Sequence, residues 1–278
     1  MPYVPKMKEQ LPGFASCTME FKHHTSLADD PLRNEEMHIH DVCEIYVNVS
    51  GGGIFMIENN LYPVSRGDMI LTRPNEMHHG LFQHNEPHEH YCIWFSAGAN
   101  STWLDRFYRR ERGEGNLLSL STPNKEKLLR LLATMERELG GAGDPRRATA
   151  LFMQLLLLIE DEATASTERA EFPYPLSAIL EEIGRRYREP IRMAEIAERY
   201  FISQSTLNRT FQTHLRISPH EYLENLRLAR AKRMLSQGAD VTETARECGF
   251  SDCSHFIMLF RRRFGMTPGK YRKESVEP

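Results

Sequence analysis

With 278 residues, 40% hydrophobic and 26% charged, the chain has room for two domains with a core each, and its composition is that of an ordinary globular protein rather than a disordered or fibrous one. Its five cysteines, Cys17, Cys43, Cys92, Cys248 and Cys253, are odd in number and lack a C-x-x-C pair, which argues for reduced thiols and against a disulfide framework or a cysteine zinc knuckle. The net charge of −3 hides an asymmetry: residues 1–175 hold 17 Lys and Arg against 25 Asp and Glu, whereas residues 176–273 hold 18 against 11, so one half is suited to a polyanion and the other is not.

The start, "MPYVPKMKEQLPG", lacks the apolar core of a signal peptide, and the greasiest run, "LFMQLLLLIE", is far shorter than the ~20 residues of a membrane span. A cytoplasmic protein without a membrane partner is expected. From about residue 36 to 96 the runs "EIYVNVS", "GIFMIE", "LYPVS", "MILTRP" and "HYCIWFS" alternate with "SGGG", "ENN" and "SRGD". Short β-branched and aromatic segments between turn signals predict an antiparallel barrel or sandwich. Within this region "HIHDVCE" sets His38, His40 and Glu44 close together, in the residue types of a metal site or of a polar ligand pocket. A second histidine-rich stretch, with His79, His84, His88 and His90, reads as a solvent-facing loop.

After residue 102 the period becomes helical. "NKEKLLRLLATMEREL" and "PRRATALFMQLLLLIEDEA" place leucines on helix faces, with Thr122 as N-cap and "GGAGDP" as the break. Packing on the β domain and a homodimer interface are the two uses for those leucines. "ATASTERAEFPYP" has no periodicity and reads as a linker. The predicted layout is an effector-binding and dimerisation domain over 1–162, a linker over 163–175 and a helical domain over 176–278, α+β overall.

The basic half repeats itself. At an offset of 49, Leu207 matches Phe256, Phe211 matches Phe260, Leu215 matches Phe264, Ile217 matches Met266, Pro219 matches Pro268 and Tyr222 matches Tyr271, while Ala197 matches Ala245 at 48. Each copy reads as a short helix ("MAEIAERY"; "VTETAREC"), a tight turn, and a second helix ("TLNRTFQTHL"; "HFIMLFRRRF"). A long helix over "SPHEYLENLRLARAKRML" joins the copies. Two helix-turn-helix units in a basic, all-α domain predict binding to successive major grooves of duplex DNA, about 34 Å apart.

"GFSDCSHFIMLFRRRFGMTPGKYR" resembles the signature of the AraC/XylS family of bacterial transcription regulators, from about Ile191 to Arg272, and the N-terminal half resembles the cupin-type, sugar-sensing domain many members carry. The resemblance implies a sequence-specific, non-enzymatic regulator with a double-stranded DNA operator, a small-molecule effector such as a sugar, a homodimeric state and RNA polymerase as partners. It places DNA contacts on Gln204, Ser205, Asn208, Arg209, Gln212 and Thr213 in the first unit, and on Cys253, Ser254, Ile257, Met258, Arg261 and Arg262 in the second. The family commonly has Arg at the place of Met258 and a small polar residue at that of Ile257. Arg can grip guanine O6 and N7, whereas Met and Ile offer only apolar contact to thymine methyls. The first unit is therefore expected to carry most hydrogen-bonded readout, with Arg261, Arg262 and Arg263 holding phosphates in the second. Arg216 stands where glycine is usual after the helix, and a different helix end is expected there.

The cupin pattern also brings "RGDMILTRPNEMHH" into line, adding Gly67, Pro74 and His78 to "HIHDVCE". His38, His40, Glu44 and His78 then converge inside the barrel. As effector groups they would fix hydroxyls, with Tyr46 and Trp94 as walls; Trp94 also suits a plain core role. No cofactor is required on this reading. The alternative is a divalent Zn, Fe, Mn or Ni ion on the same four residues, and with it a metal-dependent cupin enzyme carrying a DNA-binding tail.

Overall fold

The computed structural model describes residues 6–9, 17–26, 38–58, 60–82, 87–96, 104–140, 143–165 and 170–276. The chain divides into two compact units, residues 1–170 and 171–278. None of the described helices is long and apolar enough to cross a membrane.

The first unit is built from β1 (Lys6–Glu9), β2 (Cys17–Ser26), β3 (Cys43–Asn48), β4 (Gly53–Ile57), β5 (Asn60–Val64), β6 (Met69–Thr72), β7 (His78–Leu81), β8 (His88–Phe95), α1 (Asp105–Tyr108), β9 (Leu117–Ser119), α2 (Thr122–Leu139), α3 (Pro145–Glu162) and β10 (Thr164–Ala165). Every strand pairing is antiparallel, in a seven-stranded sheet ordered β1-β2-β8-β3-β6-β9-β10 and a three-stranded sheet ordered β5-β4-β7. The cupin-like domain is thus two facing sheets rather than one closed ladder among the described residues. Tyr46, Ile70 and Cys92 of the large sheet pack with Phe55, Ile57, Tyr62 and Val64 of the small one.

Strand alternation gives the large sheet two different faces. Ile45, Val47, Leu71, Tyr91, Ile93 and Phe95 point outward and are covered by Leu128, Leu132 and Met135 of α2 and by Phe152, Leu155 and Ile159 of α3. Covering this sheet accounts for most of the leucine surplus in the two helices; Leu157 remains 45% exposed. Thr122, expected as the N-cap, is instead the first residue of helix α2, and Ser121 holds the cap position one residue earlier. Several strands depart from the sequence reading: β1 and β2 precede the expected strand region, β9 and β10 follow it, and β7 together with the start of β8 occupies the stretch read as a loop. The segment read as a linker is partly tied down, since Thr164 and Ala165 pair with β9 and Ala170 bridges Leu61.

The second unit contains α4 (Leu176–Arg186), α5 (Met193–Arg199), α6 (Gln204–Leu215), α7 (Pro219–Ser236), α8 (Val241–Glu247), α9 (Cys253–Phe264) and α10 (Pro268–Val276). Local chemistry sets the helix starts. Ser203 accepts from Thr206 N–H, Asp240 from Thr242 and Glu243 N–H, and Asp252 from Ser254 N–H, while Ser218 and Glu221 form a reciprocal capping box at α7. The internal repeat is physical. Phe201 and Gly249 hold equivalent left-handed turn positions, φ 55° and 82°, each donating to a carbonyl three residues back (Glu198, Arg246). One extra residue, Ser251, then precedes the cap of α9, which converts the offset from 48 to 49.

Candidate effector face and nucleic-acid interface

Between the two sheets the large sheet turns inward Glu44, Tyr46 and Asn48 of β3 and His88, His90, Cys92 and Trp94 of β8. Cross-strand register sets Glu44 against both Trp94 and Thr72, Tyr46 against Cys92, and Asn48 against His90. Half of this face is polar although it is buried. Asn48, Thr72 and His90 are 0%, 1% and 7% exposed, and among the described residues both amide atoms of Asn48, the Thr72 hydroxyl and His90 Nδ1 have no hydrogen-bond partner. Burying such groups unpaired costs about 1–3 kcal/mol each, a cost that a purely structural core avoids. His88 is better satisfied: its Nε2 lies 2.7 Å from the Tyr46 hydroxyl and its Nδ1 3.1 Å from Ser50 Oγ. Phe82 stacks on the His88 ring at 3.7 Å. Burial, then the nearby charges of His88 and His24, pull the His90 imidazole down to about 3.

These positions correct the sequence reading of the second histidine stretch. His79, His88 and His90 are buried, at 2%, 3% and 7% exposure, because they lie in β7 and β8 rather than in a loop; His84 lies outside the described residues. The missed signal was the period of two in His88, His90, Cys92 and Trp94, which points all four to one face.

The "HIHDVCE" histidines do meet His78. An antiparallel bridge joins His38 and His78, with both N–H···O distances 3.0 Å, and their rings lie 4.2 Å apart. Nδ1 of His40 donates to Val42 O at 2.9 Å and Nδ1 of His78 donates to Glu76 O at 2.8 Å. Their Nε2 atoms lie 2.8 and 3.0 Å from one oxygen, Glu44 Oε2. Burial alone would push the Glu44 carboxyl up, but the hydrogen bonds and charge of His40 and His78 outweigh it and hold the group well below the usual carboxylate range. Behind the cluster, the Glu76 carboxylate takes two hydrogen bonds from Arg110 at 2.8 and 2.7 Å and one from Gly113 N–H at 2.8 Å, which fixes the backbone carbonyl that orients His78. One donor atom from each of His38, His40, Glu44 and His78 can be chosen so that all lie within 4.8 Å of one another. Three imidazoles and a carboxylate fit a first-row divalent ion. Tyr46 is buried and Trp94 half-buried beside the same apolar cluster.

In the second unit each helix-turn-helix sends its second helix to the surface. On α6, Leu207, Phe211 and Leu215 are buried, and the opposite face exposes Gln204, Ser205, Asn208, Arg209, Gln212 and Thr213. Asn208, Arg209, Gln212 and Thr213 join Arg216 and Ser218 around a shallow concavity of about 390 Å³. On α9, Phe256, Leu259 and Phe260 are buried, while Ser254, Ile257, Met258, Arg261 and Arg262 are exposed. Cys253 is half-buried against the core of this half of the domain. Arg216 does not alter its helix end: it adopts φ 61°, ψ 13°, the left-handed cap that Gly265 forms at φ 74°. Buried Ile217 and the capping box at Ser218 leave that residue no other path.

A family model described as AraC-like ligand binding domain matches residues 25–156, and one described as helix-turn-helix domain matches residues 196–274. The HTH-type transcriptional activator RhaS of Salmonella schwarzengrund is 32% identical over 254 residues, covering 85% of this chain and 87% of its own. The chain belongs to the AraC/XylS family. The Salmonella typhimurium RhaS is 31% identical over 250 residues with the same coverage. Among solved structures, an AraC-type regulator from Chromobacterium violaceum is 30% identical over 37% of this chain and 93% of its own, with a TM-score of 0.34. The DNA-binding domain of AdpA in complex with a target DNA is 28% identical over 36% and 91%, with a TM-score of 0.35. As an AraC/XylS member the chain is a DNA-binding transcription regulator with a ligand-binding domain. The two RhaS proteins are transcriptional activators, a regulatory rather than an enzymatic class.

Proposed function

We propose that the protein is an effector-controlled activator that reads DNA mainly through α6, with α9 supplying phosphate contacts and an apolar base contact. The carrying observation is the pair of exposed helix faces. That of α6 is polar, with Gln204, Ser205, Asn208, Arg209, Gln212 and Thr213. That of α9 places Ile257 and Met258, 36% and 55% exposed, where the first unit has Asn208 and Arg209. The 18 residues of α7, about 27 Å long, join the two reading units. Arg209→Ala should weaken operator binding about 10- to 100-fold and relax one base preference, whereas Arg262→Ala should weaken all sequences alike. Equal loss on every sequence for Arg209→Ala in a binding-site selection would sink this assignment.

The effector on this reading is a small polyhydroxylated metabolite such as a sugar, taken between the two sheets. His38, His40, Glu44 and His78 stand at one end of the face, Asn48, Thr72 and His90 supply further hydrogen bonds, and Tyr46 and Trp94 form walls. Effector binding shifts the balance between chain arrangements that engage different half-sites. A homodimer using the remaining exposed edge of α3, around Leu157, and a contact with RNA polymerase complete the reading. Equal operator footprints with and without a bound sugar, at several half-site spacings, would argue against the coupling.

A further inference from the structure

We infer that the effector is a sugar acid, whose carboxylate is held by Lys22, Asn48 and His90 where β2, β8 and β3 run side by side. The inference rests on the reading of the inter-sheet face as the effector site and deepens it by naming the class of molecule bound.

Strand register assembles the three groups. β8 lies between β2 and β3, so His90 stands opposite Asn48 on one flank and His24 on the other, and Cys92 stands opposite Tyr46 and Lys22. Directly opposed side chains in an antiparallel pair start about 4.5–5.5 Å apart and diagonal ones about 7–8 Å, a gap that a lysine side chain spans. The alternate residues of β2 fix its direction. Met19 and Phe21 join the core beneath α2 and α3, and His23 bonds Glu136 of α2 at 3.1 Å, so Lys22 and His24 face inward. Both placements are seen in the contacts: the His24 ring lies 5.3 Å from that of His90, and Lys22 Nζ lies 6.0 Å from the centre of the Trp94 ring.

These groups share the lack of an acceptor. The Asn48 amide and His90 Nδ1 are buried without a hydrogen-bond partner among the described residues. Lys22, half-buried, makes no ion pair with a carboxylate among those residues, and its contact there is with the Trp94 ring. An ammonium, an amide NH₂ and a ring nitrogen able to carry a proton are complementary to an oxyanion with two acceptor oxygens. The charge is that of a carboxylate. Lys22 is the one fixed cation in β2, β3 and β8, and His90 beside it stays neutral down to about 3, so a single negative charge is balanced where a phosphate dianion would not be. The Trp94 ring under the lysine gives the sugar an apolar wall.

The test is calorimetric titration of the full chain with matched series in the gluco, galacto and manno configurations, each made of the hexose, its uronate and its 6-phosphate. The inference expects one uronate to bind about 10-fold or more tighter than both its hexose and its 6-phosphate. Lys22→Met should weaken that uronate about 10- to 100-fold while leaving hexose affinity unchanged, and Lys22→Arg should keep the preference for the acid. A merely structural lysine would weaken acid and hexose alike and lower the thermal midpoint, which is measured on the same samples. A hexose or 6-phosphate that binds as tightly as its uronate, or a uronate affinity unchanged in Lys22→Met, would overturn the carboxylate subsite and leave the sugar-effector reading standing. Binding by no member of any series would remove the sugar-effector reading and this inference with it.

Discussion

Asn48 sets the proposed effector role and stability in opposition at a single residue. It is fully buried on the inner face of β3, and its amide meets no hydrogen-bonding group among the described residues. Asn48→Leu removes an unsatisfied amide at nearly constant volume and should stabilise the chain by about 1–3 kcal/mol while abolishing the effector response. Urea denaturation is the check: a destabilised Asn48→Leu protein would mean that the amide has a structural partner. His90, directly across from it, governs an acid dependence. The unfolded chain binds a proton at this histidine below the ordinary value of about 6.5, whereas the folded chain holds it neutral down to about 3. More protons are then bound by the unfolded state across that window, so the stability conferred by neutral His90 is complete above about 6.5 and is lost as pH falls toward 3. The groups acting on it are His88, His24, Lys22 and Glu44. His90→Phe should flatten the acid slope of stability by up to about 1.4 kcal/mol per pH unit between 6 and 4; identical slopes in variant and parent would refute this.

Among the elements, the two helix-turn-helix units show how one backbone is filled by different residues. Gly249 and Phe201 share a left-handed turn position, yet only the former is constrained by its neighbours. A Cβ at Gly249 would lie 2.7 Å from the Tyr187 carbonyl oxygen and 2.8 Å from that of Arg188, whereas Phe201 is 96% exposed. Gly249→Ala should therefore cost about 2 kcal/mol or more, and Phe201→Gly should be near neutral. At the other end of α6, Arg216→Gly removes a left-handed non-glycine residue that costs about 1–2 kcal/mol at the expense of added freedom in the unfolded chain. Its stability should change by less than about 1 kcal/mol while DNA affinity falls, if Arg216 beside the concavity touches phosphate. Thermal melts and binding isotherms separate the two effects. Much of this was readable beforehand: the 49-residue repeat located both units, and β3, β4, β5 and β6 announced themselves by β-branched and aromatic runs between turns. Strands β2, β7 and the start of β8 did not. His24, His78, His88 and His90 interrupt their hydrophobic alternation, and imidazoles suit a polar inner face better than a strand pattern. The conformation of Arg216 was hidden for another reason, since a cap imposed by Ile217 and the following helix overrides the residue's own preference.

Over the whole molecule the charge division assigns the work. The excess of 18 basic over 11 acidic residues falls within 176–273, the half that carries α6 and α9, and the acidic excess falls in the half that carries the buried polar face. What composition left open was which cations bind phosphate. The structure narrows this, because several arginines are already engaged: Arg186 and Arg199 bond Glu182, and Arg227 donates to the carbonyls of Tyr187 and Glu189 at 2.8 and 2.7 Å. Those residues tie parts of the domain together, and substituting them is expected to change DNA affinity little. Arg261 and Arg262, exposed on the last turn of α9, are placed to displace counterions. Each phosphate contact contributes about 0.9 to the slope of log affinity against log salt on duplex DNA. The double variant Arg261→Ala/Arg262→Ala should therefore reduce that slope by about 2, on operator and unrelated duplex alike, while leaving the ratio between them nearly unchanged. Arg209→Ala should do the reverse, lowering the ratio more than the slope. Titrations at 50, 100 and 200 mM salt, roughly the range over which a handful of contacts changes affinity by orders of magnitude, decide between them. A double variant that loses specificity while keeping its slope would move base readout onto α9 and assign phosphate binding to the first unit instead.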